Sequence, residues 1–253
     1  MNETVVAGLW GLVGGSALLI GAVIGWFARL PQSLISAIMA FGAGVLFSAV
    51  AFELIQEASA LGGLAATAGG FIAGALAYTG ANIAVSRAGA RHRKRSGFNA
   101  AEALPQASSG AGLAIAIGAL LDGIPESVVI GVSLLEGKGV SMAMVAAVFL
   151  SNVPEGLSSA SGMKKAGHSF AYVAMIWGGI ALASGLSAAI GNAAFASASP
   201  ALIAAITAVA AGAILAMLVD TMVPEATESV HEAAGLITVL GFLAAFALSR
   251  TGG

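Results

Sequence analysis

The chain has 253 residues, of which 58% are hydrophobic and 9% charged, and its mean hydropathy is +0.98; an ordinary soluble domain, with about a quarter of its residues charged, is excluded, and lipid is the expected solvent. Ten Lys and Arg against twelve Asp and Glu give a formal charge of -2, which offers no basic surface for nucleic acid. With no cysteine, disulfides and thiolate metal sites are ruled out, and any metal chemistry falls to carboxylate, amide, hydroxyl, imidazole or backbone ligands.

A hydrocarbon core of about 30 Å needs roughly 20 apolar residues in a helix. Eight segments of that kind are predicted, near residues 6–28, 32–54, 63–86, 108–134, 140–162, 169–191, 200–223 and 233–250. The expected fold class is therefore an all-α polytopic membrane protein of eight transmembrane helices, forming one transmembrane domain over 1–253. The first segment follows Met1-Asn2-Glu3-Thr4, which has no basic residue, and its apolar run is too long for a signal-peptide core; it reads as a span. The 35 glycines, with frequent alanine and serine, suit helices that associate by close backbone approach.

Basic residues orient these segments. Arg29 falls in the first loop, Arg87, Arg91, Arg93, Lys94 and Arg95 in the third, and Lys164 and Lys165 in the fifth, all on one side; Lys138 and Arg250 fall on the other. Both termini are expected outside, with a cytoplasmic basic loop over about 87–107. Arg91-His92-Arg93-Lys94-Arg95 reads as a solvated orientation signal with anionic-lipid contact.

The second and seventh segments align without a gap: Gly44-Val45-Leu46 through Gln56-Glu57-Ala58 against Gly212-Ala213-Ile214 through Pro224-Glu225-Ala226. The predicted topology runs these two segments in opposite directions, as an inverted repeat of three helices around a central pair requires. A three-two-three arrangement is expected.

The central pair carries the chemistry. The fourth segment contains Leu121-Asp122-Gly123-Ile124-Pro125-Glu126-Ser127, the fifth Ser151-Asn152-Val153-Pro154-Glu155-Gly156. Residues at i and i+4 share a helix face, so Asp122 and Glu126 point one way, as do Ser151 and Glu155, with Asn152 beside them. Each proline removes a backbone hydrogen bond, which predicts a bend and a released carbonyl at Leu121 and at Leu150. Ionisable groups within spans cost about 2.5–3.5 kcal/mol each on insertion scales and face an interior or a watery path. Neither span has a Lys or Arg, so a divalent cation or protons are the expected partners of the three carboxylates. Termination of each helix by its Pro-Glu pair, with Asp122 neutral or paired with a hydroxyl, is the plainer alternative.

These paired sequences resemble the His-Asn-x-Pro-Glu-Gly motifs in the fourth and fifth helices of the ZIP family of divalent metal transporters. Gln56-Glu57-Ala58 and Pro224-Glu225-Ala226 are similar to the Pro-Glu-Ala that often ends that family's second and seventh helices. The resemblance, which spans essentially the whole chain, implies the ZIP bundle, movement of Zn²⁺ or a similar divalent ion toward the cytoplasm across a bacterial inner membrane, and often a homodimer. The chain departs from the motifs where Asp122 and Ser151 replace the histidines and Gly123 the first asparagine. The sixth segment offers no ionisable residue between Ser169 and Asn192. The expected metal site is thus all oxygen: Asp122, Glu126, Asn152 and Glu155, with Ser151. Such donors suit Mn²⁺ and are tolerated by Fe²⁺, although Zn²⁺ remains the first expectation from the resemblance. The ion is a transported substrate, and no resident cofactor is expected.

Glu53 and Glu57, and Asp220 and Glu225, near the ends of the repeated segments, are candidate entry and exit relays, with simple helix-end solvation as the alternative. His231, one turn from Glu228 and beside Glu232, is a candidate exit ligand or an exposed loop residue. His168 and His92 read as interfacial, and Trp10, Trp26 and Trp177 as interface anchors or packing. Three rival functions stay open: a proton-coupled carrier of a small organic solute, a ZIP-like sensor that binds metal without moving it, and a membrane metalloenzyme. The last is not expected, since the chain has no His-Glu-x-x-His or Gly-x-Ser-x-Gly.

Overall fold

Asn2 opens the first helix by accepting a hydrogen bond from the Thr4 backbone N–H, and α1 runs over Glu3–Phe27. The computed structural model describes residues 2–87, 111–136 and 139–251, and all the regular structure among them is helical. Pro31 sets the start of α2 (Gln32–Ala49), which continues through a π-helical turn, Val50–Ile55, into α3 (Gln56–Val85). Within α3, Gly63 has φ 73° and ψ 172°, a conformation only glycine adopts without strain. It breaks one long helix into two legs.

The remaining helices are α4 (Ala111–Ser133), α5 (Met142–Lys165), α6 (Phe170–Phe195), α7 (Pro200–Met217), α8 (Val223–Thr227) and α9 (His231–Thr251). Serines cap three of them: Ser141, Ser169 and Ser199 accept from the backbone N–H of Met144, Tyr172 and Leu202, satisfying donors that a helix start leaves open. A second π-helical turn, Leu218–Met222, joins α7 to α8. The two π turns begin at Val50 and Leu218, positions that coincide in the alignment of the repeated segments. Both α4 and α5 continue helically past Pro125 and Pro154, so each proline sits inside a helix and ends neither.

Five helical stretches among the described residues are long and apolar enough to cross a membrane: Glu3–Phe27, Gln32–Val85, Phe170–Phe195, Pro200–Thr227 and His231–Arg250. Helix α5 is not among them, its apolar run being interrupted by Ser151, Asn152, Glu155, Ser158 and Ser159. The basic run 91–95 and Lys138 lie outside the described residues.

Packing sorts the helices into two groups. Helix α1 lies against α5 and α6, and α6 against α4; α2 lies against α9, and α3 against α7. The second group is held by reciprocal glycine crossings. A Cβ on Gly44 would stand 1.9 Å from the Thr238 carbonyl oxygen and one on Gly241 2.0 Å from that of Phe41; on α3 and α7, Gly74 and Gly212 make the same exchange with Val209 and Phe71 at 1.8 and 1.9 Å. Only hydrogen fits there, and the backbones touch as small-residue membrane interfaces do. The groups meet along α2 with α5 and along α4 with α7. The repeated segments run antiparallel: Ser36 at the start of α2 donates to the Glu225 carbonyl at the far end of the α7–α8 stretch, while Glu53 and Pro200 line one cavity at the opposite end.

Candidate functional site

Helices α4 and α5 bring their motif residues into the interior, away from the surface that faces outward. Asp122 is 2% exposed, Glu126 1% and Glu155 4%, and Ser151 and Asn152 are equally buried. The i, i+4 spacing explains this, since one face of each helix carries both polar positions of its motif. Bare carboxylates at such depth are costly, and the structure supplies Asp122 with a donor: the Tyr78 hydroxyl, on α3, donates to Asp122 Oδ1 at 2.7 Å. Tyr78 was not foreseen. It lies 44 residues away in sequence, and its one legible signal is a tyrosine placed well inside a span.

Asn152 donates from Nδ2 to the Gly14 carbonyl at 3.0 Å, tying α5 to α1, and Ser151 donates to Val148 within its own helix. Ser151 and Pro154 face α2, against Gly42. The five predicted ligands thus share the interior of the bundle. Among the described residues, however, no three His, Asp or Glu side chains form a group that could hold a metal ion. Asp122 is turned to α3 and the Asn152 amide nitrogen to α1.

The candidate relays separate into two ends. Glu53 lies in the first π turn, and its carboxylate accepts from Ser141 at 3.2 Å and from Ser249. Ser141 is also the cap of α5, so one serine both starts that helix and ties it to α2. Glu53, Gln56, Glu57, Ser133, Ser141 and Ser249 give the polar part of an open cavity of about 1020 Å³ at this end. Glu225, a candidate relay, does not lie at a solvated helix end: it is 2% exposed and accepts at Oε1 from Ser158 at 2.7 Å. Ser158 is one turn beyond Glu155 on α5, so Glu225 extends the polar face of that helix toward the other end. Ser158 stands 17 positions beyond Ser141, roughly 25 Å along the helix.

Asp220 is exposed and accepts from Asn82 at 3.2 Å; His231 and Glu232 are exposed. These three are not brought to the interior. His168 is buried and stacks on Tyr172 with ring centroids 4.8 Å apart, while Lys164 sits over the Trp26 ring beside Phe170, as at a membrane interface. Trp177 lies in the core and serves packing.

No family model matches the chain, and no curated protein matches it. Its class rests on the structure: a helical protein with several helices long and apolar enough to cross a membrane, carrying buried carboxylates between two helix groups.

Proposed function

We propose that the chain is a ZIP-like carrier of divalent metal cations, Zn²⁺ first, with Mn²⁺ and Fe²⁺ as alternatives. In this reading eight spans are arranged three-two-three in a bacterial inner membrane, with both termini outside. One observation carries it: Asp122, Glu126 and Glu155 are buried on two neighbouring helices that lie at the junction of the two packing groups. Carboxylates kept at that depth with no Lys or Arg along the middle of either helix are suited to replacing the water of a cation.

The cation enters from the Glu53 cavity, is held by oxygen donors of α4 and α5 at mid-depth, and leaves past Ser158 and Glu225. Access alternates as the two groups move against one another. Asp122 is held by the Tyr78 hydroxyl on the neighbouring α3.

The test is metal uptake into proteoliposomes for Zn²⁺, Mn²⁺ and Fe²⁺, with and without an imposed pH gradient. Wild-type protein takes up metal, and Glu126→Ala with Glu155→Ala reduces uptake to the level of empty vesicles while the protein remains inserted. Normal uptake by the double variant refutes the site. A second reading, a metal-binding sensor, is favoured by the commitment of Asp122 and Asn152 to protein partners; it predicts saturable binding with no flux.

A further inference from the structure

We propose that Tyr78 is a positioning residue for cation binding, its phenol fixing the orientation in which Asp122 meets the ion; the inference rests on the carrier reading above. The Tyr78–Asp122 hydrogen bond, at 2.7 Å, joins two side chains that are each 2% exposed. A buried tyrosine ordinarily finds some acceptor for its hydroxyl. Two facts give this one a larger role.

The first is place. The chain has two tyrosines. Tyr172 lies in the first turn of α6, stacked on His168, where an interfacial aromatic belongs. Tyr78 stands fifteen residues past the Gly63 break, roughly 22 Å along the helix, opposite the middle of α4. The second is connection. Asp122 belongs to the α1, α4, α5, α6 group and Tyr78 to the α2, α3, α7, α9 group, so their bond crosses the junction the carrier reading makes mobile.

An aspartate free to turn about its two side-chain torsions would spend binding energy on being ordered when the ion arrives. A donor already holding one oxygen removes that cost, as the partners that orient metal ligands do elsewhere, and their loss typically weakens metal binding about 10–100-fold. The effect passes through Asp122. It should therefore vanish once Asp122 is replaced.

The experiment titrates the intact purified protein with Zn²⁺ alone and with Mn²⁺ alone by calorimetry, then measures uptake of the same ions in proteoliposomes. Tyr78→Phe is expected to raise Kd and KM about 10–100-fold with the maximal rate within about twofold of wild type, the pattern of lost ground-state binding. Asp122→Asn and the double variant should bind equally weakly, because the two residues act as one unit. Tyr78→Leu, which likewise has no donor, is expected to show the same loss and replaces Tyr78→Phe should that variant not fold. A wild-type Kd in Tyr78→Phe, or losses that add in the double variant, overturns the role of Tyr78 and leaves the carrier reading intact. Wild-type protein that neither binds nor takes up Zn²⁺, Mn²⁺ or Fe²⁺ overturns both.

Discussion

Consider Gly74→Ala at the crossing of α3 and α7. The new methyl would stand 1.8 Å from the Val209 carbonyl oxygen, where real contacts of that kind do not fall below 3.0 Å. Relief requires the helices to part by about 3.0 − 1.8 = 1.2 Å, and the obstacle is backbone, which cannot turn aside as a side chain would. Forcing a methyl into a packed contact costs about 1–3 kcal/mol. Gly179→Ala on α6 is the control: nothing lies within 4 Å of its added methyl, so it gains only helix propensity, up to about 1 kcal/mol. Two identical substitutions should therefore move stability in opposite directions. In thermal unfolding of detergent-solubilised protein followed by far-UV circular dichroism, about 2–4 °C per kcal/mol translates these figures into a fall of roughly 2–12 °C and a rise of up to about 4 °C. Tyr78 is one turn beyond Gly74, so the same parting draws the phenol from Asp122, and Gly74→Ala should also weaken cation binding. If Gly74→Ala unfolds at or above the wild-type temperature, close backbone approach is not what joins α3 to α7.

Ser158→Ala removes a donor from the buried Glu225 carboxylate, a charge-assisted bond worth about 1.5–3 kcal/mol; the melting temperature should fall, Ser158→Thr should restore it, and equal melting of all three would refute the contact. Gly63→Ala meets no atom within 4 Å, so its cost is backbone strain alone, about 1–3 kcal/mol at φ 73°. Gly80→Ala, likewise unobstructed but helical, should melt no lower than wild type.

Helix positions were legible because lipid imposes a length on apolar runs. The predicted start of the third segment at residue 63 coincides with the Gly63 break, while residues 56–62, left between the bounds of the second and third predicted spans, continue the helix. That stretch stayed hidden because Glu53 and Glu57 interrupt the apolar run. Their carboxylates line the Glu53 cavity, beside Ser141 and Ser249. The repeat read from Gly44 and Gly212 was visible as sequence, whereas the two π turns were not: an extra residue in a helical turn depends on what packs around it and leaves no compositional mark. Burial of Asp122, Glu126 and Glu155 followed from motif spacing. The hydrogen-bond partners of Asp122 and Asn152 did not, because Tyr78 and Gly14 reach them only through tertiary packing. Glu225 shows the same limit, since a Pro-Glu-Ala at a helix end gives no sign that Ser158 will cover it.

A common chemistry runs along the junction of the two groups. At one end Ser141 donates to Glu53, midway Tyr78 donates to Asp122, and at the other end Ser158 donates to Glu225. In each case the acceptor is a carboxylate and the donor a neutral hydroxyl. An arginine or lysine at any of these positions would neutralise the carboxylate permanently and repel an arriving cation, and removing it from a buried pair would cost several kcal/mol. A hydroxyl stabilises the carboxylate without cancelling its charge, and it can turn to offer a lone pair instead of a proton. In the carrier reading, hydroxyl donors would let the two groups hold together and yet give way to a cation, which a lattice of salt bridges would prevent. The ten Lys and Arg of the chain, all placed outside the central parts of the predicted spans, are consistent with that requirement.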